Sequence, residues 1–278
     1  MGKRKSLARQ VQEALQGKLC IGESKAAAKK QGTAQGGIYS WSTYRAYIKH
    51  LNYFATYCKS AHGCRSLGEC KGYAGDWLET RRDLSPYTVK LEAAALRKLY
   101  GESLDLPPTA PRKRETVTRS RGSAVRDRNF SAANNRDLIA FCRSTGLRRH
   151  ELETLHGDQL FIDDTGDAYL LVKGKGGRVR LAPIVGDVSA VVDRCINAGG
   201  GLVWGRVNSN ADIHQYRADY CKTIYDQHAR DLDRLPQSDR YYCRNDRKGT
   251  IFDRRAMLAA SRALGHNRIN IIASHYLR

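Results

Sequence analysis

At 278 residues the chain is long enough for one large domain or two modest ones, and 41% apolar content with three Trp and fifteen Tyr supports packed cores, which excludes a disordered chain. Its 48 Lys and Arg against 28 Asp and Glu leave a net charge of +20 along the whole length, and the commonest use of such a field is to meet a polyanion and release counterions from its phosphates. No apolar run approaches the ~20 residues needed to span a bilayer. The basic MGKRKSLARQ start is followed by alternating charged and apolar residues and not by a signal-peptide core, so the expected setting is cytoplasmic, with nucleic acid as partner and no membrane. The eight cysteines include no CxxC pair; Cys58, His62, Cys64 and Cys70 are ligand types, but their spacing fits no zinc module, and no metal is expected.

Residues 1–36 carry eight Lys and Arg against two Glu and end in the Gly-rich QGTAQGG, which reads as a basic arm with one short helix over Leu7 to Leu15, either a solubilising tail or a contact arm. From Trp41 to Tyr57 apolar residues recur at three- and four-residue steps, predicting an amphipathic helix capped by Ser40 or Ser42. A second helix fits Lys71 to Thr80. A third opens in LSPYTVKLEAAALRKLY, with Ser85 as cap and Pro86 at the first helical position. Residues 37–103 therefore form a small helical domain. Three Pro and a run of Arg mark 104–128 as an extended linker, either strapped along phosphates or merely solvated.

A second domain is expected over 129–278. SAANNRDLIAFCRSTGLRRHELETL predicts a helix, a Thr-Gly break and another helix near Leu147. AYLLVKGKGGRVRLAPI alternates on both sides of a Gly-rich turn, a β-hairpin with its tip at Lys175 to Gly177; GKGG lacks the spacing of a nucleotide-binding loop. Helices resume near Asp212 and from Asp253 to Leu264, where Gly265 is placed as a stop, with a polar loop and short hairpin between them. The chain closes on LGHNRINIIASHYLR, a helical stretch that finishes in Tyr276, which by itself would be a surface anchor.

TGLRRHELETL resembles the first conserved box of the tyrosine recombinases, the integrases and resolvases of phages and mobile elements, and a hairpin with GKGGRVRLAPI, then HQYR, LGH and a terminal Tyr follow in that family's order. The resemblance implies a mainly α fold with a small β-sheet, in two domains: a helical, SAM-like core-binding domain and a mixed α/β catalytic domain, closing as a clamp on duplex DNA. It implies that Arg148 is the first catalytic arginine, Lys175 the hairpin lysine, His214 and Arg217 the His-x-x-Arg pair, His266 the second histidine, Tyr276 the nucleophile and Glu151 the supporting acid. The implied activity is site-specific recombination through a covalent 3′-phosphotyrosine, with no metal, ATP or other cofactor, by a protein monomeric when free and tetrameric on DNA, with DNA-bending accessory proteins and a nucleoid-associated setting. A type IB topoisomerase-like nicking-closing enzyme and a catalytically inactive DNA-binding regulator are the alternatives.

The residue types suit that chemistry. Two guanidinium forks bind nonbridging oxygens of a pentacovalent phosphorane and stay charged at any working pH. A phenol must lose its proton as it attacks, with His214 as acceptor. Lys175 on the hairpin tip suits protonation of the departing 5′ oxygen, with Lys173 as its neighbour and alternative, and His266 can donate to a phosphate oxygen. Arg45, Lys49, Lys90, Arg97, Arg112, Lys113 and Arg114 are candidate phosphate contacts.

Four departures from the family pattern stand out. Tyr276 lies ten residues after His266, one more than is usual, so a turn or bulge must absorb a residue. Arg217 is followed by ADYC, and His266 comes 49 positions after Arg217, a longer span than in compact relatives. The sequence ends two residues past Tyr276, where many relatives continue into a helix that docks on the next subunit, so either assembly uses another element or the natural chain runs further.

Overall fold

Side-chain oxygens start most of the helices. The structure, a computed structural model, describes residues 5–111, 129–174, 177–244, 247–266 and 268–277, and the chain divides into two units, 1–118 and 119–278. In the first, Ser6 accepts from the Arg9 N–H to open α1 (Leu7–Gln16), Ser24 opens α2 (Lys25–Lys30), and Ser40 opens α3 (Trp41–His62). Ser66 caps the short α4 (Leu67–Cys70), a 3-10 turn (Lys71–Tyr73) leads into α5 (Ala74–Glu79), and Ser85 with Pro86 behind it begins α6 (Pro86–Tyr100). The single helix expected over 71–80 is thus a jointed segment.

The helical unit takes in more chain than the 37–103 expected. Leu7, Val11 and Leu15 recur every four residues on α1 and are buried in one core with Leu51 and Phe54 of α3, Trp77 of α5 and Leu96 of α6, so the α1 part of the presumed basic arm is a packed element. Gln10 ties it down further, donating to the Arg65 carbonyl and accepting from the Leu67 N–H. Leu104 and Leu106, read as the start of the linker, also pack on this core; residues 112–128, including Arg112, Lys113 and Arg114, lie outside the described residues. Cys58, Cys64 and Cys70 serve as small apolar core residues, while the His62 ring stacks on Tyr73 at 3.7 Å.

In the second unit α7 (Arg136–Thr145) stops at Gly146 and α8 (Arg149–Glu153) follows at once. An antiparallel sheet comes next, ordered β1 (Leu160–Ile162), β2 (Ala168–Lys173), β3 (Val179–Pro183), with Leu171 opposite Leu181 and Lys173 opposite Val179. Ala168, Leu170 and Val172 point inward onto Phe141, Leu147 and Leu152. Then come α9 (Val188–Ala198), α10 (Ile213–His228) capped by Asp212, a two-stranded hairpin of β4 (Arg240–Tyr242) and β5 (Ile251–Asp253), and α11 (Arg254–Ala263) capped by Asp253. Strand β1 and helix α9 have no counterpart in the sequence reading. No helix among the described residues is long and apolar enough to cross a membrane.

Helix α10 packs against both α7 and α11, and the break between α7 and α8 is shaped around it. Gly146 sits at φ +58°, and a Cβ there would fall 2.1 Å from Cδ1 of Tyr220, which is fully buried on α10. Its own carbonyl accepts from Arg217. Left-handed strain and the clash act together, so Gly146→Ala is expected to lower stability by about 2–4 kcal/mol in urea unfolding; a loss below ~0.5 kcal/mol would show that Tyr220 has room to retreat.

Candidate active site

The site begins at a buried carboxylate. Glu151, on the first turn of α8, accepts from the Arg148 backbone N–H at 2.8 Å and from Arg148 Nη1 at 2.8 Å. Arg180 of β3 grips the same carboxylate through both terminal nitrogens, Nη1 to Oε1 at 3.0 Å and Nη2 to Oε2 at 2.9 Å. Burial acts to raise the Glu151 pKa, but the hydrogen bonds from Arg180 and Arg148 outweigh it and hold the group at about 2. Arg180 Nε donates to the Ala263 carbonyl at 3.2 Å, which fastens the end of α11 to the sheet.

Arg217, on α10, is 1% exposed and is bound on three sides. It donates Nη1 to the Gly146 carbonyl, Nη2 to the Leu264 carbonyl at 2.5 Å and Nε to the Tyr276 hydroxyl at 3.2 Å. Arg148 Nη2 reaches the same Leu264 carbonyl at 3.4 Å, so the two guanidiniums converge on one point. Burial pushes the Arg217 pKa down from its usual value, and Tyr276 acts in the opposite direction. Arg149 holds the chain entering α10, donating to the Asn208, Ser209 and Ala211 carbonyls.

Tyr276 is 7% exposed, its ring centroid 5.7 Å from the Arg217 guanidinium carbon. The segment that carries it is a π turn, Ile272–Tyr276, with the Leu277 N–H donating to the Ile272 carbonyl five residues back. A π turn holds one residue more than an α turn. The ten-residue span from His266 to Tyr276 thus ends in a turn one residue wider than an α turn.

His266 Nε2 lies 3.1 Å from the Tyr276 hydroxyl. Its pKa is lowered to about 4, by burial first and then by Arg217, Arg148 and Arg180, so the imidazole is neutral at pH 7. Arg217 Nε–H donates to the phenol oxygen, and in the His266 tautomer that carries its proton on Nδ1 the Nε2 lone pair accepts the phenol proton. A tyrosine hydroxyl held between a guanidinium donor and a neutral imidazole can shed its proton as its oxygen attacks an electrophile.

Arg148, Glu151, Arg217, His266 and Tyr276 are therefore brought together. His214 is exposed on the first turn of α10, three residues before Arg217, and the histidine that meets the phenol is His266. Lys175 lies outside the described residues; Lys173 is exposed at the end of β2. In the helical unit Arg45 and Lys49 are exposed on one face of α3 with Trp41 and Tyr53, while Lys90 and Arg97 are half-buried on α6. Arg180 was missed. It faces inward opposite Val172 while its apolar neighbours Val179 and Leu181 are exposed, the reverse of what alternation along the strand suggests.

Helices packed around a small antiparallel sheet give this chain the tyrosine recombinase fold. Two solved structures share it: XerH site-specific recombinase bound to palindromic difH substrate in a post-cleavage complex, with TM-score 0.54, 14% identity and coverage of 98% of this chain and 90% of that one, and XerH bound to difH substrate in a pre-cleavage complex, with TM-score 0.51, 16% identity and coverage of 97% and 90%. No protein-family model and no curated protein sequence matches the chain.

The depressed His266 pKa makes stability depend on pH. In the unfolded chain the imidazole takes up a proton near its ordinary value of 6.5, while the folded one resists until about 4, so the unfolded state binds more protons between these limits and stability falls as the pH drops through that window. His266→Gln should lose less stability than the unaltered protein between pH 7 and 4.5 in urea titrations, whereas parallel pH profiles for the two would contradict the assignment.

Proposed function

We propose that the chain is a site-specific DNA recombinase that cuts and rejoins strands through a covalent 3′-phosphotyrosine at Tyr276. The observation that carries this reading is the Tyr276 hydroxyl, held by Arg217 Nε at 3.2 Å and His266 Nε2 at 3.1 Å beside the carbonyl that Arg148 also reaches. The fold shared with XerH in complexes described as pre- and post-cleavage supports it, as does the net charge of +20.

In this reading the phenol oxygen attacks the scissile phosphorus while its proton passes to His266. The P–O5′ bond breaks, and the 5′ oxygen takes a proton from Lys175, or from Lys173. Arg148 and Arg217 neutralise the phosphorane; a guanidinium has five N–H groups, and three of those of Arg217 are used by partners among the described residues. His214, exposed near Arg217, then serves a phosphate oxygen, the role first assigned to His266. The phosphotyrosine keeps the energy of the broken bond, so a 5′ hydroxyl from a second strand reverses the steps and reseals, and neither ATP nor metal is required. Strand exchange between two sites calls for four protomers on DNA. Arg45 and Lys49 of the helical unit are proposed to contact phosphates, with Trp41 and Tyr53 beside them.

The test is a nicked suicide duplex drawn from DNA flanking the gene. Tyr276→Phe is expected to bind that duplex as the unaltered protein does and to form no covalent adduct; an adduct trapped in this variant would defeat the assignment. Arg148→Lys and Arg217→Lys should each slow adduct formation by about 10²-fold or more, because a point charge replaces a planar fork, and turnover within a few-fold of normal in either would remove the phosphate-clamp role. Relaxation of supercoils on arbitrary DNA by a monomer would instead identify a nicking-closing enzyme.

A further inference from the structure

The long span between Arg217 and His266 contains the β4–β5 hairpin, and this hairpin is built into the core that carries Tyr276. Cys243 is buried, and Tyr241 and Phe252 half-buried, in one cluster with Ile272, Ala273, Tyr276 and Leu277. Arg247 stands in the connecting turn, held there by the Thr250 N–H donating to its carbonyl at 3.0 Å and by its guanidinium lying 5.0 Å from the Phe252 ring centroid. From that anchored position Nη1 donates to the Ala273 carbonyl at 2.7 Å and to the Leu277 carbonyl at 2.5 Å. These carbonyls bracket Tyr276 on either side. A charged donor on the carbonyl end of a helical turn is electrostatically favourable, and its bonds are stronger than neutral ones.

We infer that Arg247 is a positioning residue that seats Tyr276 for attack by clasping the backbone before and after it, and that this is the task of the inserted hairpin. The inference rests on the recombinase reading of the site. Arg247 touches no reacting atom. It fixes where the phenol oxygen stands between Arg217 and His266, and a displacement of about 1 Å in a reacting group costs on the order of 10²-fold in rate.

Three measurements test it. On the nicked suicide duplex, Arg247→Ala should form the covalent adduct about 10- to 100-fold more slowly, with DNA affinity and thermal midpoint close to those of the unaltered protein, and Arg247→Lys should recover part of the rate. In a Tyr276→Phe background, hydrogen peroxide supplied as the nucleophile in place of the phenol should release the 5′ hydroxyl end equally with and without Arg247→Ala, since a diffusing nucleophile needs no seat. Without DNA, hydrogen exchange at the Leu277 amide should accelerate in Arg247→Ala while α10 is unchanged. Adduct formation at the normal rate in Arg247→Ala, a matching loss in the peroxide reaction, or unaltered exchange at Leu277 would each overturn the inference. An unaltered protein that forms no adduct would remove the recombinase reading, and with it the role in attack, whereas accelerated exchange would still support the clasp itself.

Discussion

The buried carboxylate of Glu151 is the constraint on which the site depends. A charge removed from water must be matched or it destabilises the fold by several kcal/mol, and here it is matched by the Arg148 side chain and backbone and by the fork of Arg180. One anion therefore ties the start of α8 to β3, and Arg180 carries the tie to the end of α11 through the Ala263 carbonyl. Arg148 enters the site already oriented, with its remaining terminal nitrogen turned toward Leu264. The arrangement resembles a keystone: three elements distant in sequence lean on one small group.

A second layer of order comes from main-chain carbonyls. Gly146 and Leu264 orient the buried Arg217 from two sides, and both carbonyls lie in breaks between helices, where backbone oxygens face away from any helical ladder. Breaks between helices are thus part of the architecture of the site. Gly146 can serve because nothing but hydrogen fits beside Tyr220, and Gly265, at φ +69° with Arg180 packed against it, makes the turn that follows the Leu264 carbonyl. The stability of the helical unit is a separate matter, resting on its apolar core and on Glu92, which is buried between His50 and Arg81.

Much of this was legible in the sequence, for identifiable reasons. Ser40, Ser85, Asp212 and Asp253 mark helix starts because a short side-chain oxygen satisfies amides that have no partner of their own, and that chemistry is local. The alternation through AYLLVK and RVRLAP gave the hairpin by the same local logic. Arg148, Arg217, His266 and Tyr276 could be picked out because the short motifs that hold them follow a known order. The remainder depended on distant partners. Helix α1 read as an arm because its charge is conspicuous and its three apolar residues are few; only the complementary surface on α3 shows that they are buried. The proton relation between His266 and the phenol, the grip of Arg180 on Glu151 and the reach of Arg247 to the chain end join residues 10, 29 and 26 to 30 positions apart. No periodicity encodes such pairs.

The π turn at Ile272–Tyr276 bears on how the length of this segment can vary. A turn of this kind stores one surplus residue, and the surplus can be gained or lost by rewinding a few residues while the helices upstream keep their caps and packing. The number of residues from His266 to Tyr276 is then a poor ruler of where the phenol stands, because local slack takes up a difference. The more stringent gauge is spatial: the phenol oxygen must arrive between one guanidinium and one imidazole, whatever length of chain delivers it.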